Sequence, residues 1–334
     1  MLFRSDMVTL TLNHFKRNKW TDISLELQEY ISSNIMKRAV VERGGPKIEY
    51  RLQTKNTGNA RVSGMFDTDS TKVDDVMISA EVPWAKTTTS FAYDVDEDLF
   101  QSDRETIIRE MQIRDHDAMN SLAELNEEHL WTDPAVAGEP YGIPYWIKKD
   151  STEGFNGGDP ALGPAAGVAT ATYPRWKNYT FAYTSVSTSD MVDKVKRAIY
   201  KTKFMAPHAH PQLGYGNAEN YHFYTTYEVR SKLERIAESR NDNHGTDVAK
   251  YINKVTIAGI PVDAVPYLDA NDTQDPIYGV NWKVFKPFVK KGCNGRRTGP
   301  FRSAKQHTVR EVHIDTWYNF CCYNRRNTFV GYVA

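Results

Sequence analysis

The sequence predicts an α+β fold, and three features of the chain lead to that prediction. A long helix is predicted over residues 102–131, because Ser102 and Glu105 form a capping box and no Pro or Gly follows until Pro134. Before it, residues 44–98 alternate in the two-residue rhythm of strands. After it, residues 221–334 combine short alternating strands with a helix.

The predicted helix is long enough to act as a spine rather than as an ordinary core element. At 1.5 Å per residue it spans roughly 40–45 Å. Its apolar residues recur at spacings of three and four, and they are Ile108, Met111, Ala118, Met119, Leu122 and Leu125. We expect this stripe to face a sheet that includes strands from the end of the chain, since the returning chain supplies alternating apolar surface.

Residues 44–98 predict an extended β-hairpin that has little core of its own. Apolar residues alternate near both ends of the segment, at Ile48, Tyr50 and Leu52 and at Val76, Ile78, Ala80 and Val82. The residues between these two alternating segments are mostly of the types that favour turns. An isolated hairpin is marginal in water, so we expect it to project from the body and to lie on another subunit. A disordered insertion is the alternative interpretation.

Further elements follow the long helix. Residues 132–178 predict an ordered but irregular connection, because Gly and Pro alternate with aromatic residues. A second amphipathic helix is predicted over 189–203, capped by Ser189 or Asp190. A strand at 221–226, a helix at 227–240 and strands within 254–268, 277–288, 308–320 and 327–332 complete the pattern. The last two strands are expected to pack beside the long helix.

Composition excludes several classes of protein. The 334 residues can bury a substantial core, and their 42 basic and 42 acidic side chains cancel, which argues against a dedicated nucleic-acid binder. The mean hydropathy of −0.59 and the lack of a long apolar run exclude a membrane span. Asp6 and Lys16 interrupt any signal peptide. Three cysteines suit a reducing cytoplasm rather than a disulfide framework.

Charge is distributed in blocks of opposite sign. Acidic residues crowd 67–103, whereas residues 283–310 contain only basic charges. Such blocks suggest contacts between subunits, while solvated faces and weak DNA binding by the basic block remain alternatives. The candidate inter-subunit residues are Lys47, Lys55, Asp94, Asp96, Glu97, Asp98, Arg296, Arg297 and Arg302.

Catalytic motifs are not indicated. The glycines of residues 214–219 lack the third glycine of a dinucleotide fingerprint. Three histidines are of the residue type that binds metals, and they are His208, His210 and His222. An exposed turn is the better interpretation of this region. Cys321 and Cys322 are interpreted as strand residues, one of them inward. We therefore predict no catalytic, cofactor-binding or metal site.

The order of these elements resembles the major capsid protein of tailed bacteriophages, which has the Hong Kong 97-type fold. Local phrases support the likeness, among them Ile257-Ala258-Gly259-Ile260-Pro261-Val262 and Gly142-Ile143-Pro144-Tyr145-Trp146-Ile147. The resemblance implies an N-terminal arm (1–43), an extended loop (44–98), a peripheral domain (99–220) containing the spine helix, an axial domain (221–300) and return strands to the peripheral domain (301–334).

The resemblance also implies a function. The chain would assemble as pentamers and hexamers into an icosahedral head that encloses double-stranded DNA, in a virion built in the host cytoplasm. No long N-terminal extension serves as a built-in scaffold, so a separate scaffolding protein is expected, and a cement protein and a portal are possible partners. The family's founding member cross-links a loop lysine to an asparagine, but nothing here identifies that asparagine. The alternatives are an encapsulin-like compartment and, in a different class, a soluble oligomeric enzyme using the His208–His222 region.

Overall fold

The computed structural model describes residues 25–27, 29–68, 71–96, 104–203, 220–239 and 255–334. The helices are Ile31–Met36, Arg104–Trp131, Ile143–Trp146, Asp193–Thr202, Tyr227–Ser239 and Pro266–Asn271, and a π-helical turn covers Thr188–Val192. Short 3-10 turns lie at Ala165–Gly167, Pro174–Trp176 and Arg325–Asn327. The strands are Val40–Glu42, Lys47–Gln53, Met77–Pro83, Ala85–Asp94, Tyr179–Tyr183, Tyr221–Thr225, Thr256–Ile257, Ile260–Ala264, Ile277–Asn281, Phe285–Lys290, Arg296–Arg302, Val309–Cys322 and Phe329–Val333.

A five-stranded sheet, the long sheet, is organised around the strand Val309–Cys322. One edge of that strand pairs antiparallel with Ala85–Asp94, from Val309 opposite Asp94 to Tyr318 opposite Ala85. Its other edge pairs first with Arg296–Arg302 and then with Phe285–Lys290. The long central strand thus joins chain segments that lie more than 200 residues apart.

A six-stranded sheet, the second sheet, holds the separate α/β part of the molecule. Its strand order runs Tyr179–Tyr183, Phe329–Val333, Ile277–Asn281, Tyr221–Thr225, Ile260–Ala264 and Thr256–Ile257. The final strand lies parallel to the first of these and antiparallel to the third. Our expectation that both terminal strands return to the long helix is therefore wrong for the last one.

Close backbone packing explains where the last strand goes. A Cβ atom at Gly331 would lie 2.2 Å from the ring of Phe181, and one at Gly279 would lie 2.3 Å from the ring of Phe329. Two aromatic rings fill the space that side chains would occupy at these glycines. The glycines thus allow aromatic residues of neighbouring strands to interlock across the second sheet.

The long helix, Arg104–Trp131, is called the spine helix below. It packs against the strand Ala85–Asp94 of the long sheet, with Ala118 and Leu122 buried. The predicted register is wrong for Met119, which is 37% exposed, because one residue rotates the side chain by 100° away from the buried stripe. Ser102 and Asp103, where the predicted helix begins, lie outside the described residues.

The second amphipathic helix begins earlier than expected. The Ser187 hydroxyl accepts a hydrogen bond from the Asp190 backbone N–H at 3.2 Å, so Ser187 is the N-cap rather than Ser189 or Asp190. A π-helical turn then leads into Asp193–Thr202, whose Val195, Ala198 and Ile199 are buried, which confirms that the helix is amphipathic. This helix packs on Tyr179–Tyr183 and so belongs with the second sheet, although the prediction assigned residues 99–220 to the peripheral part.

The irregular connection 132–178 is ordered, as the sequence predicts, and a buried arginine ties it to the end of the chain. Arg325 is 0% exposed, and its Nε donates to the carbonyl of Trp146 at 2.7 Å. One terminal nitrogen donates to the Gly158 carbonyl at 2.7 Å and to Asn178 Oδ1 at 3.3 Å. Burial lowers the pKa of Arg325 to about 10, so the side chain stays charged at neutral pH.

Candidate interaction surfaces

The predicted extended loop is a β-hairpin over a shorter range than 44–98. Lys47–Gln53 pairs with Met77–Pro83, and the chain then leaves the hairpin at Trp84 to enter the long sheet. The base of the hairpin is part of the body: Ile48, Ala80 and Val82 are buried in the main core. The Tyr50 hydroxyl donates to the Cys322 carbonyl at 2.9 Å.

The distal half of the hairpin is held together by its own polar groups. The side-chain amide of Asn59 donates to the Lys72 carbonyl at 2.8 Å and accepts from the Lys72 backbone N–H at 3.0 Å. It thus imitates the backbone of a paired strand. Thr54 N–H donates to the Val76 carbonyl at 3.0 Å. These bonds shape a projecting finger whose apolar residues do not contact the core.

A tight turn displays two large apolar side chains at the end of this finger. Asp67 accepts a hydrogen bond from the Gly64 N–H at 2.7 Å, and between them Met65 and Phe66, the apolar tip, are 90% and 101% exposed. Phe66 has a φ of 80°, a left-handed conformation that is strained for a bulky residue. Val62 and Val73 lie fully exposed nearby. A group of large apolar side chains exposed to water in this way indicates a surface that contacts another molecule.

The two loop lysines among the predicted residues make ion pairs along the hairpin. Lys47 pairs with Glu81 across the two strands, and this partner raises the pKa of Lys47. Lys55 lies 3.3 Å from Asp74. Both pairs are exposed, so each contributes little to stability on its own.

The predicted basic residues lie on Arg296–Arg302, an edge strand of the long sheet. Arg297 forms a two-pronged pair with Asp115 of the spine helix, at 3.0 and 2.8 Å. Arg296, the preceding residue of the strand, points to the other face of the long sheet, and its cross-strand partner there is Asp315. Burial acts to raise the pKa of Asp315. Hydrogen bonds from Thr88 and Lys86, together with the positive charges of Lys86 and Arg296, outweigh this effect and lower the pKa.

The acidic and basic blocks meet at one end of the long sheet within a single chain. Asp94 is paired in register with Val309, next to Arg310, and Arg310 lies directly opposite Arg302. Like charges in cross-strand positions repel, and within the described residues neither arginine has a carboxylate within ion-pairing distance. Asp96 follows Asp94 in a turn, while Glu97 and Asp98 lie outside the described residues.

The residues considered for catalysis do not form a catalytic site in the part of the chain that the structure describes. His222 lies 2.5 Å from Asp263, and this hydrogen bond lowers the pKa of Asp263. His208, His210 and residues 214–219 lie outside the described ranges. No cluster of three possible metal ligands occurs among the described residues, and no helix there has the length and apolar character needed to cross a bilayer.

The two adjacent cysteines are both buried, which corrects the prediction that one points inward. Both residues, Cys321 and Cys322, are 0% exposed, so both faces of the long sheet are covered where they lie. The Trp146 indole and the Tyr50 hydroxyl donate there to the carbonyls of Phe320 and Cys322. Burial raises the pKa of Cys322 to about 12, so the thiol is a packing group rather than a nucleophile.

Sequence reasoning missed the apolar tip. The signal was available, since Met65 and Phe66 are large apolar residues inside a stretch of turn residues. Their importance depends on how far the turn stands from the core, and a periodicity argument does not supply that distance.

Comparison with known proteins finds similarity in structure but no match in sequence. No family profile and no curated protein sequence matches the chain. The fold matches the capsid asymmetric unit of cyanophage A-1(L) with a TM-score of 0.65, 16% identity and coverage of 93% of this chain and 94% of that one. It matches the capsid of the empty GTA particle with a TM-score of 0.59 and 13% identity, covering 95% of each chain.

The fold also matches the holo-SrpI encapsulin complex of Synechococcus elongatus PCC 7942, with a TM-score of 0.51 and 10% identity over 96% of this chain and 94% of that one. These matches confirm the predicted α+β class and the Hong Kong 97-type fold. At such low identity they establish the fold alone.

Proposed function

We propose that this protein is the shell-forming subunit of an icosahedral viral head, the major capsid protein of a tailed bacteriophage. The observation that carries the proposal is a Hong Kong 97-type fold over at least nine-tenths of the chain, matching capsid structures from one end of the described body to the other. The projecting hairpin with its apolar tip adds a surface that needs a partner.

In this proposal the subunits form pentamers and hexamers, and the hairpin of each subunit lies on its neighbour. The hairpin base is bonded to its own body through Ile48 and Tyr50, so the finger is held in a defined direction. Covering Met65 and Phe66 by a second copy would bury two large apolar side chains. Burial of each is worth about 1.5–3 kcal/mol per contact, and a shell repeats the contact at every subunit.

The double variant Met65→Ser/Phe66→Ser is therefore expected to give folded subunits that fail to form stable shells. Neither side chain contacts the core, so the unfolding midpoint of the isolated subunit should stay the same. Size-exclusion chromatography and negative-stain microscopy of the expressed protein measure shell formation. The matched control is Val136→Ser, an exposed apolar residue away from the hairpin. Normal shells from the double variant would contradict the role of the tip.

The charged end of the long sheet supports a second contact, either with a neighbouring subunit or with packaged DNA. Arg302 and Arg310 lie opposite each other without a described carboxylate partner, so an anionic group should bind there. Salt screens exposed charges beyond about 8–10 Å, so shells that depend on inter-subunit pairs should dissociate as ionic strength rises.

The variant Arg302→Ala/Arg310→Ala distinguishes the two contacts. If the arginines pair with acidic residues of a neighbour, empty shells of the variant should dissociate at lower salt than wild-type shells. If they contact DNA, empty shells should behave as wild type while DNA retention falls, without sequence preference. Light scattering across a salt series, with and without DNA, measures both effects. Arg297→Ala serves as the control, because Arg297 is already paired with Asp115.

An encapsulin-like compartment is the second candidate, and the match to the SrpI encapsulin complex favours it. Particles purified from expressing cells separate the candidates, because a viral head is proposed to enclose double-stranded DNA and a compartment to enclose protein. A compact oligomer without a shell would instead favour the soluble enzyme. A separate scaffolding protein, a cement protein and a portal are proposed partners of the viral head.

A further inference from the structure

One buried carboxylate of the spine helix has no counter-ion in the described part of the chain. Glu127 is 0% exposed, and no Lys, Arg or His side chain of the described residues lies within ion-pairing distance of it. An isolated buried charge is costly unless hydrogen bonds compensate it. The groups that bond to Glu127 therefore carry an energetic role that an ordinary core contact does not.

Two N–H groups bond to the two oxygens of Glu127. The Ser32 backbone N–H donates to Oε2 at 2.6 Å, and the Trp131 indole N–H donates to Oε1 at 2.7 Å. Trp131 lies one turn further along the spine helix, so that bond stays within the helix. The bond from Ser32 instead spans 95 residues of sequence.

Ser32 belongs to the short helix Ile31–Met36, the arm helix, which has no N-cap side chain of its own. Tyr30, at the cap position, makes no side-chain cap bond. Glu127 takes the place of the cap, because it accepts from an unpaired N–H of the first turn and its negative charge faces the positive end of the helix. The arm helix in turn supplies the only compensation for Glu127 that comes from another element of the described chain.

The remaining contacts of the arm helix suit a unit that can leave as a whole. Ile31 and Ile35 are its buried apolar residues, and the Tyr30 hydroxyl donates to Glu124 at 3.1 Å. Beyond the helix, the strand Val40–Glu42 is fastened to the long sheet beside Phe285–Lys290. The few residues between Met36 and Val40 thus separate a fixed strand from a short helix that is attached by two hydrogen bonds, to Glu127 and Glu124, and by the packing of its apolar residues Ile31, Ile35 and Met36.

We propose that the arm helix is a detachable clasp on the spine helix and that Glu127 is its lock. With the arm helix seated, Glu127 is buried and both of its oxygens are bonded. When the arm helix leaves, the hydrogen bond from Ser32 N–H to Glu127 Oε2 breaks. Water then bonds to each of these two groups in place of the other. The position of the arm and the hydration of Glu127 are thereby coupled through a single hydrogen bond between two helices.

The variant Glu127→Gln tests the lock in the full-length chain. A glutamine amide offers one acceptor oxygen where two N–H donors converge, so one donor loses its partner whichever way the amide turns. We expect hydrogen exchange of the amides in 31–39 to become at least tenfold faster in the unassembled subunit. Exchange in the strand Phe329–Val333 should be unchanged. Mass spectrometry of peptides from these segments measures both.

Two further variants separate the lock from general core damage. Ser32→Pro removes the N–H donor at a position in the first turn, where a helix tolerates proline, and it should reproduce the local effect. Glu124→Gln alters the neighbouring part-buried contact with Tyr30, where the amide oxygen can still accept the hydroxyl, and should change exchange less than twofold. Unchanged exchange of 31–39 in Glu127→Gln would overturn the proposal. An equal rise throughout the chain would also overturn it, because Glu127 would then be an ordinary core residue.

Discussion

The variant Leu122→Asp is expected to yield no folded subunit. Leu122 is 5% exposed and lies where the spine helix packs on Ala85–Asp94. Aspartate would place an unpaired carboxylate against apolar side chains and would also remove a buried isobutyl group, which together should cost several kcal/mol. Most single domains have only about 5–15 kcal/mol of stability. Soluble expression and the circular dichroism of any recovered protein measure the outcome.

The matched control for this prediction is Met119→Asp on the same helix. Met119 is 37% exposed, so an aspartate there remains hydrated, and the change should lie within about 1 kcal/mol of the wild type. A folded Leu122→Asp subunit would show that the spine helix is rotated relative to the long sheet. Equal damage from both variants would show that the helix is buried on all sides in the subunit.

The second large effect is expected from Arg325→Met. The guanidinium group bonds to the Trp146 and Gly158 carbonyls and to Asn178 Oδ1, and methionine removes the donor from the two carbonyls while Asn178 Oδ1 keeps the Lys148 N–H. A buried acceptor that loses its donor typically costs about 1–3 kcal/mol. We expect a loss of that size in urea unfolding of the unassembled subunit, followed by tryptophan fluorescence, because Trp146 is part of the site.

The neighbouring Arg326 provides the control for this experiment. Its guanidinium lies 4.2 Å from the centroid of the Phe155 ring and is only partly buried, so Arg326→Met should cost about 1 kcal/mol or less. A loss of stability in Arg325→Met no larger than in Arg326→Met would mean that water or a nearby group replaces the guanidinium. The connection 132–178 would then be held mainly by its aromatic packing and by its other bonds, such as those from Tyr141 N–H to Asn319 and from the Trp146 indole to the Phe320 carbonyl.

The order of elements could be predicted from the sequence because local rules govern it. Alternating apolar residues located both strands of the hairpin, Lys47–Gln53 and Met77–Pro83, and the uninterrupted apolar spacing located the spine helix. These signals depend on a few neighbouring residues and need no knowledge of what packs on them.

The partners of each element could not be predicted in the same way. Residues 85–94 alternate like the hairpin that precedes them, yet they join the long sheet through pairing with a strand over 200 residues away. The last strand alternates like the one before it, yet Gly331 and Phe181 direct it into the second sheet. Strand pairing between distant segments depends on complementary shape, which periodicity does not encode.

By itself the sequence determined the fold class, the long spine helix, the projecting hairpin and the lack of a recognised catalytic motif, since each follows from composition or local spacing. Only the tertiary structure decided that Leu122 is buried while Met119 is not, that Arg297 pairs with Asp115, and that Glu127 caps a helix 95 residues away. The physical reason is that burial and charge compensation depend on which distant surfaces meet. A buried polar side chain shows its partner only after the chain has folded around it.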